Sequence, residues 1–341
     1  MNFDYSILIG RFQPFHNEHL KLLKRSLAEA KQVIVVLGSY RTAPNFKNPW
    51  SVEDRRTMIT DCLDSKDVDR IRFVAVRDHL YNDDRWLIEV QQKINMIVGD
   101  TSSKKVCLNG NFKDETSYYL NMFPQWKFIG DYVDSKLDAT NIREEYFHED
   151  HGWGWVKDVP SPIVKFLEKY EETESYKNIK QEYSYIREYK SKWDDAPFKP
   201  TFITTDAVVV KSGHILVVKR GVNPGKGLLA LPGGFLDNDI TILHSCLREL
   251  KEETVIMMPP DEIKYHLKEN QVFDHPQRSL RGRTITHAFF FKLPDKGELP
   301  KVCGGDDAKE AFWLPIGDLY LRDDEFFEDH IHIINHFINK A

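Results

Sequence analysis

Two short apolar runs near the start of the chain, Ser6-Ile7-Leu8-Ile9-Gly10 and Val33-Ile34-Val35-Val36-Leu37-Gly38, show no alternation of polar with apolar residues. A strand that is apolar on both faces has to be covered on both, as happens inside a parallel sheet flanked by helices. The sequence between and beyond the runs supports this. A loop after Gly10 leads into a helical stretch with Leu20, Leu23 and Leu27 on one stripe. Ser51-Val52-Glu53-Asp54, following Pro49, reads as a helix start with serine at the N-cap and an acid at N3. Residues 71–76 and 106–108 read as further strands, with a helix over 86–97 between them. In such sheets ligands bind beyond the carboxyl ends of the strands. The Gly10 and Gly110 loops are therefore expected to face one site.

The pattern changes after a charged, tyrosine-rich, glycine-free stretch over residues 162–193 that reads as a helical connector. Asp194-Asp195-Ala196-Pro197-Phe198-Lys199-Pro200 interrupts it. Beyond it, apolar strands over 202–210 and 215–219 are joined by Ser212-Gly213, a hairpin signal. A glycine-rich loop, one amphipathic helix and a strand over 284–292 follow, an α+β pattern with a mixed sheet. The expected domains are 1–193, connector included, and 194–341. A length of 341 residues suits two domains, and 41% hydrophobic content allows each its own core.

Lys plus Arg number 47 against 53 Asp plus Glu, a net charge of -6. That balance gives no general pull towards nucleic acid, so an anionic ligand has to be held by local basic groups. No apolar run is long enough to span a bilayer, and Met1-Asn2-Phe3-Asp4-Tyr5 shows no export signal. Cys62, Cys107, Cys246 and Cys303 are widely spaced, without a C-x-x-C pair. The expectation is a reduced, cytoplasmic protein without structural zinc, nucleic-acid partner or membrane.

Gly10-Arg11-Phe12-Gln13-Pro14-Phe15-His16-Asn17-Glu18-His19 joins the first strand to its helix. A helix N-terminus presents unpaired N–H groups and partial positive charge, which suits phosphate. His16 and His19, three apart, share one side of the first turn and can donate to phosphoryl oxygens. Taken alone, such a pair reads as a cap and a packed surface residue. In this setting the segment resembles the G-R-F-x-P-x-H-x-G-H signature of the nucleotidyltransferase superfamily, specifically the archaeal-type nicotinamide mononucleotide (NMN) adenylyltransferases. Asn48-Pro49-Trp50-Ser51-Val52-Glu53-Asp54-Arg55 is similar to their N-P-F-x-x-x-E-R segment, and Leu137-Asp138-Ala139-Thr140-Asn141-Ile142-Arg143 to I-S-x-T-x-I-R.

That resemblance covers residues 6–170 and implies a Rossmann-like parallel sheet with helices on both faces. It implies that His16, His19 and Arg143 act on the ATP phosphates, helped by Thr140. Gly10, Arg11, Phe12, Gln13, Arg55, Asn109, Gly110 and Asp138 are expected around the substrates. Trp86 is a candidate to stack on the nicotinamide ring, or else an ordinary core tryptophan. Two positions depart from the pattern. Glu18 stands for the glycine of H-x-G-H and has to point away from phosphate. Asp138 stands for a serine; it is a good N-cap but cannot donate to phosphate at neutral pH.

In the second half Leu231-Pro232-Gly233-Gly234-Phe235 precedes a helix containing Arg248-Glu249-Leu250-Lys251-Glu252-Glu253. Leu243, Leu247 and Leu250 fall on its core side. Glu249 and Glu253 are neighbours on one edge, with Glu252 just round from them. Read alone, these acids are a solvated helix face; joined by a hard cation, they are a Mg²⁺ site. With the glycine loop the segment resembles the Nudix box, G-x5-E-x7-R-E-U-x-E-E-x-G-U, aligned at Gly234, Arg248, Glu249, Glu252 and Glu253.

The Nudix resemblance spans residues 201–340 and implies Glu249 and Glu253 as metal ligands. Glu252 assists, Arg248 orients the carboxylates, and the Gly233 carbonyl is a further ligand. Ile240 occupies the position of the first box glutamate, which puts hydrolysis in doubt unless Asp237 or Asp239 substitutes. Val255 occupies the closing glycine. Valine is poorly suited to a left-handed cap, so the helix is expected to end differently, before Pro259-Pro260. Arg278, Arg281 and Arg283 form a basic cluster for a diphosphate or ribose, or a solvated loop. Asp306 and Asp307 are candidates for a late-loop base or water ligand.

The order of the two resemblances is similar to that of the bacterial bifunctional NMN adenylyltransferase/ADP-ribose pyrophosphatase family, a Rossmann-like α/β half followed by an α+β Nudix fold. It implies that NMN plus ATP give NAD and pyrophosphate, and that ADP-ribose gives AMP and ribose 5-phosphate. Mg²⁺, with Mn²⁺ as an alternative, is implied at both sites. A homo-oligomer is left open. The competing reading is transfer to nicotinate mononucleotide or another phosphate acceptor, with the second half a non-hydrolytic ADP-ribose or NAD sensor.

Overall fold

The computed structural model describes residues 1–99, 103–112, 115–130, 137–148 and 152–338. The chain forms two units, Met1–Tyr183 and Ser184–Ala341. In the first unit the elements are β1 (Phe3–Gly10), α1 (Asn17–Glu29), β2 (Ala30–Leu37), α2 (Val52–Thr60), α3 (Ser65–Val68) and β3 (Ile71–Ala75). They continue as α4 (Asp83–Val98), β4 (Val106–Asn109), β5 (Lys127–Ile129), α5 (Ala139–Phe147) and α6 (Ser161–Tyr170). Helix α7 (Glu174–Ser191) follows, and the division between units falls inside it, ahead of the expected break at 193/194.

The five strands pair in the order β3-β2-β1-β4-β5, all parallel. Val33, Ile34, Val35 and Val36 of β2 are fully buried, as a strand covered on both faces requires. Alternate residues feed two cores. Leu8, Val33 and Val35 join Leu23 and Leu27 of α1, while Ile7, Ile34 and Val36 join Val90 and Ile94 of α4. Helix α2 opens on a reciprocal capping box. Ser51 Oγ accepts from the Asp54 N–H (3.1 Å), and Asp54 Oδ2 accepts from the Ser51 N–H (2.9 Å).

The tyrosine-rich stretch expected to act as a connector also completes the first core. Tyr170 of α6 and Tyr176, Ile179 and Tyr183 of α7 are buried against Trp50, Tyr146 and Phe147. Their spacing along α7 puts a single aromatic and aliphatic stripe on one face.

The second unit contains β6 (Thr201–Lys211), β7 (His214–Arg220), β8 (Leu229–Ala230), β9 (Gly233–Phe235), α8 (Ile242–Thr254), α9 (Pro260–Tyr265) and β10 (Leu267–Phe273). It ends with β11 (Arg283–Lys292), β12 (Ala308–Pro315) and α10 (His330–Ile338). The sheet runs β10-β11-β6-β7-β12, with β8 on β7 and β9 on β6. Only β11 and β6 pair in parallel among these strands, so the sheet is mixed. Ser212 and Gly213 both have positive φ (47° and 72°), the geometry of a tight hairpin turn between β6 and β7. Helix α8 lays Leu247 and Leu250 on the sheet beside Ala207, Val209 and Leu216.

Candidate active sites

Strand β1 ends at Gly10, where a Cβ would lie 2.9 Å from the Phe12 ring. The glycine lets the chain double back, with Phe12 buried and left-handed (φ 53°). Helix α1 then starts with His16 as its N-cap. The rings of His16 and His19 stack with centroids 3.5 Å apart and planes at 20°. The His16 amide N–H donates to His19 Nδ1 at 3.3 Å, which leaves the proton of a neutral His19 on Nε2. Glu18 does turn aside from the imidazoles, pairing with Lys21 at 2.5 Å.

Arg143 reaches this loop from α5, whose N-cap Asp138 accepts from the Thr140 N–H at 2.6 Å. The guanidinium is almost fully buried. It donates to the Gln13 carbonyl and, at 3.2 Å, to Thr140 Oγ1, while its Nε has no hydrogen-bond partner. Burial and the charge of Arg11 hold its pKa down to about 10. Lys47 was not singled out in the sequence, where it is one lysine in a loop. Burial, together with the charges of Arg11 and Arg143, pushes it down to about 8, against the pull of Asp78. Arg11, Lys47 and Arg143 thus lie close enough to lower one another's proton affinity, a positive locus suited to an anion.

Four of the residues expected around the substrates make hydrogen bonds to the scaffold. Gln13 is buried, its amide donating to the Trp50 carbonyl (2.9 Å) and accepting from the Trp50 N–H (3.1 Å). Arg55 donates to the carbonyls of Ser51 (3.1 Å), Arg11 (2.8 Å) and Gly38 (2.7 Å), tying together the ends of β1 and β2. Asn109 accepts from Arg25 Nε (2.9 Å) and donates to Ser26 Oγ (2.8 Å). The Gly110 N–H donates to the Ile129 carbonyl and its own carbonyl accepts from Arg25. These residues shape the loops at the carboxyl ends of the strands. Trp86 is half-buried and packs on Tyr119 and Phe123, centroids 5.9 and 5.8 Å away.

In the second unit, Gly233 and Gly234 bring β9 against α8. A Cβ on Gly234 would lie 2.5 Å from Glu249 Oε1, and one on Gly233 would lie 2.1 Å from the Thr205 carbonyl. Only glycine leaves room for the carboxylate. The Gly233 N–H donates to Glu253 Oε2 at 3.0 Å. Arg248 lies against three carboxylates: Asp237 at 2.9 Å, Glu249 at 2.7 Å, and Glu252. Burial raises the pKa of Glu249. It pushes Glu253 up to about 8, with Glu249 and Asp206 adding to the effect.

Two buried carboxylates whose pKa values stay raised even with Arg248 and Arg220 near them, with oxygen donors only, fit a hard divalent cation. Glu252 is turned to Arg248, and no ready cluster of three metal-ligating side chains occurs among the described residues. Asp306 and Asp307 lie in the loop before β12; Asp306 adds to the raising of Glu249, and the Asp307 carbonyl accepts from the Gly221 N–H.

The arginine cluster does not act as one group. Arg278 is buried in a bidentate pair with fully buried Asp329, at 2.9 and 2.8 Å, and belongs to the interior. Arg283 turns to Asp274. Arg281 stays near the site, its guanidinium 5.2 Å from the Phe235 ring centroid and 5.9 Å from that of Phe327. Arg220, not singled out in the sequence, stands over Phe327 at 4.3 Å, and its charge opposes the raising of Glu253. Removing one partner of a buried pair leaves the other charge stranded. Arg278→Ala is therefore expected to cost the second unit about 3 kcal/mol, read by denaturant unfolding. A folded variant with only a raised KM for ADP-ribose would return Arg278 to the ligand site.

Helix α8 ends at Thr254, before Pro259-Pro260, but with Val255 left-handed (φ 45°, ψ 32°), the cap that valine was expected to avoid. Burial of Ile256 forces the reversal, as do bonds from the Cys303 and Gly305 N–H groups to the carbonyls of Thr254 and Glu253. A non-glycine residue there costs about 1–2 kcal/mol. Val255→Gly is expected to raise stability by about 1 kcal/mol, seen as a higher Tm. A lower Tm would mean that the valine side chain contributes more than its backbone costs.

Residues 7–144 match the cytidylyltransferase-like family and residues 200–337 the NUDIX domain. The nicotinamide/nicotinic acid mononucleotide adenylyltransferase of Acinetobacter baylyi is 38% identical over 182 residues, covering 53% of this chain and 94% of that protein. The ADP-ribose pyrophosphatase of Methanocaldococcus jannaschii is 37% identical over 117 residues, 34% of this chain and 63% of that protein. A crystal structure of a bifunctional NMN adenylyltransferase/ADP ribose pyrophosphatase from Francisella tularensis, complexed with AMP and a Mn ion, is 36% identical. It covers 99% of both chains with a TM-score of 0.90. The order of domains, both site loops and this full-length likeness agree: the chain belongs to the bifunctional NMN adenylyltransferase/ADP-ribose pyrophosphatase family.

Proposed function

We propose that the first unit transfers AMP from ATP to NMN, giving NAD and pyrophosphate, and that the second hydrolyses ADP-ribose to AMP and ribose 5-phosphate. The observation that carries this reading is the likeness to the Francisella protein over 99% of both chains, with both charge-handling sites present. Attack on the α-phosphorus of ATP comes from a phosphate that is already anionic, so no strong base is needed. Catalysis is positioning and neutralisation of charge. His16 and His19 donate to the transferring phosphate from the N-terminus of α1. Arg143, Lys47 and Arg11 hold the phosphates that leave, and Thr140 steadies Arg143.

In the second unit Glu249 and Glu253, with the Gly233 carbonyl, would hold Mg²⁺ or Mn²⁺, which activates water and screens the diphosphate. Arg281 and Arg220 take the anionic substrate beside Phe235 and Phe327. Mg²⁺ is our choice for both sites; the bound ion in the Francisella structure is Mn. No helix among the described residues is long and apolar enough to cross a membrane, and the four cysteines are free, from which we infer a reducing cytoplasmic setting.

The test supplies NMN, ATP and Mg²⁺ and reads NAD and pyrophosphate, with nicotinate mononucleotide run alongside. In parallel it supplies ADP-ribose and Mg²⁺ and reads AMP. Absence of AMP at high enzyme concentration would turn the second unit into a ligand sensor.

A further inference from the structure

We propose that Asp237 is a positioning residue of the hydrolase site, supplying from the loop ahead of α8 the carboxylate that the Nudix box lacks at Ile240. The proposal rests on the hydrolase reading above. Ile240 is 37% exposed and can neither ligate a cation nor pair with a base. Arg248 nevertheless has a carboxylate against each of its three nitrogens. Glu249 faces Nη2 and Glu252 faces Nη1, both from the same helix, while Asp237 Oδ2 lies 2.9 Å from Nε and comes from outside it.

Contacts from one helix fix only one side of a guanidinium plane. Its remaining freedom is a swing about the long side chain; Asp237, close to Nε but outside hydrogen-bond geometry, opposes that swing through its charge. With the plane fixed, Glu249 and Glu252 are each held by one oxygen and present the other. Glu253 is held separately by the Gly233 N–H.

Magnitudes separate this role from a merely structural one. The Asp237 side chain is 53% exposed, and ion pairs of that kind contribute little to folding. Orientation of ligands by an outer partner is worth about 10–100-fold in metal affinity or activity. Loss of Asp237 should therefore appear at the cation site and hardly at all in Tm.

The experiment uses the full chain as D237N and as D237N/I240E. Mn²⁺ binding is followed by electron paramagnetic resonance, with E253Q as the reference for sites outside the second unit, and ADP-ribose hydrolysis by AMP release. D237N, acting one step removed through Arg248, is expected to weaken Mn²⁺ binding and lower kcat for hydrolysis severalfold, up to about 10-fold. KM for ADP-ribose, Tm and adenylyl transfer should stay unchanged. The added I240E should recover most of the loss, because it restores the carboxylate that the Nudix box carries at that position. Unchanged Mn²⁺ affinity in D237N, or a loss that I240E does not recover, overturns the proposal. Should the unaltered protein bind Mn²⁺ yet release no AMP, the hydrolase reading fails, and the Mn²⁺ comparison still decides the role of Asp237.

Discussion

His16→Ala is expected to lower kcat/KM for NAD synthesis by about 10³-fold while leaving ADP-ribose hydrolysis at its original rate. The imidazole is 6% exposed and stacked on His19, so its donor is already oriented before substrate arrives. Such a group needs no reorganisation as charge builds on the transferring phosphate, and its loss falls on the transition state. The defect should therefore lie mainly in kcat, with KM for ATP changed less. Helix α1 survives the substitution, since Leu23 and Leu27 hold its buried face. Steady-state rates of both reactions on one preparation give the answer. Equal loss of both activities in a folded variant would show that the two sites do not work independently.

Glu253→Gln is expected to do the reverse, lowering ADP-ribose hydrolysis by about 10³-fold or more and sparing NAD synthesis. The amide keeps an oxygen for the Gly233 N–H, so local shape is retained while the charge is removed. The same residue sets a pH dependence. Its pKa rises from an ordinary 4.5 to about 8 on folding, chiefly by burial, so the folded metal-free protein binds the proton more tightly than the unfolded chain. The associated stability is fully present below pH 4.5 and is lost as pH rises through 8. Melting curves of metal-free protein between pH 5 and 8 should show a decline that E253Q lacks, and Mg²⁺ should offset it in the unaltered protein. A flat profile in both proteins would mean that Glu253 is already ionised in the fold.

Much of the fold was legible because burial writes itself into residue pattern. The unbroken apolar runs required a doubly covered sheet, Ser51 and Asp54 announced the start of α2, and Ser212-Gly213 announced the β6–β7 hairpin. Local backbone chemistry alone misled at Val255. A left-handed valine is costly, but burying Ile256 and bonding the Cys303 and Gly305 N–H groups outweighs about 1–2 kcal/mol. The tyrosines of α6 and α7 read as a connector because their partners, Trp50 and Tyr146, lie far away along the chain.

The sequence by itself determined the two architectures, their order, and the two segments proposed to handle phosphate: the loop from Gly10 to His19 and the helix carrying Glu249 and Glu253. Those features are local, carried by residues a few positions apart. Tertiary structure alone decided the internal partners of the polar groups around them. Gln13, Arg55 and Asn109 give their polar groups to distant backbone and side-chain partners, and Arg278 gives its charge to Asp329. Lys47 comes within range of the charge of Arg143, and Arg220 within range of Glu253, by proximities that no spacing encodes. A polar group buried on folding has to find a partner wherever the fold places one. The side chains left for substrate are therefore known only after those internal pairings have been made.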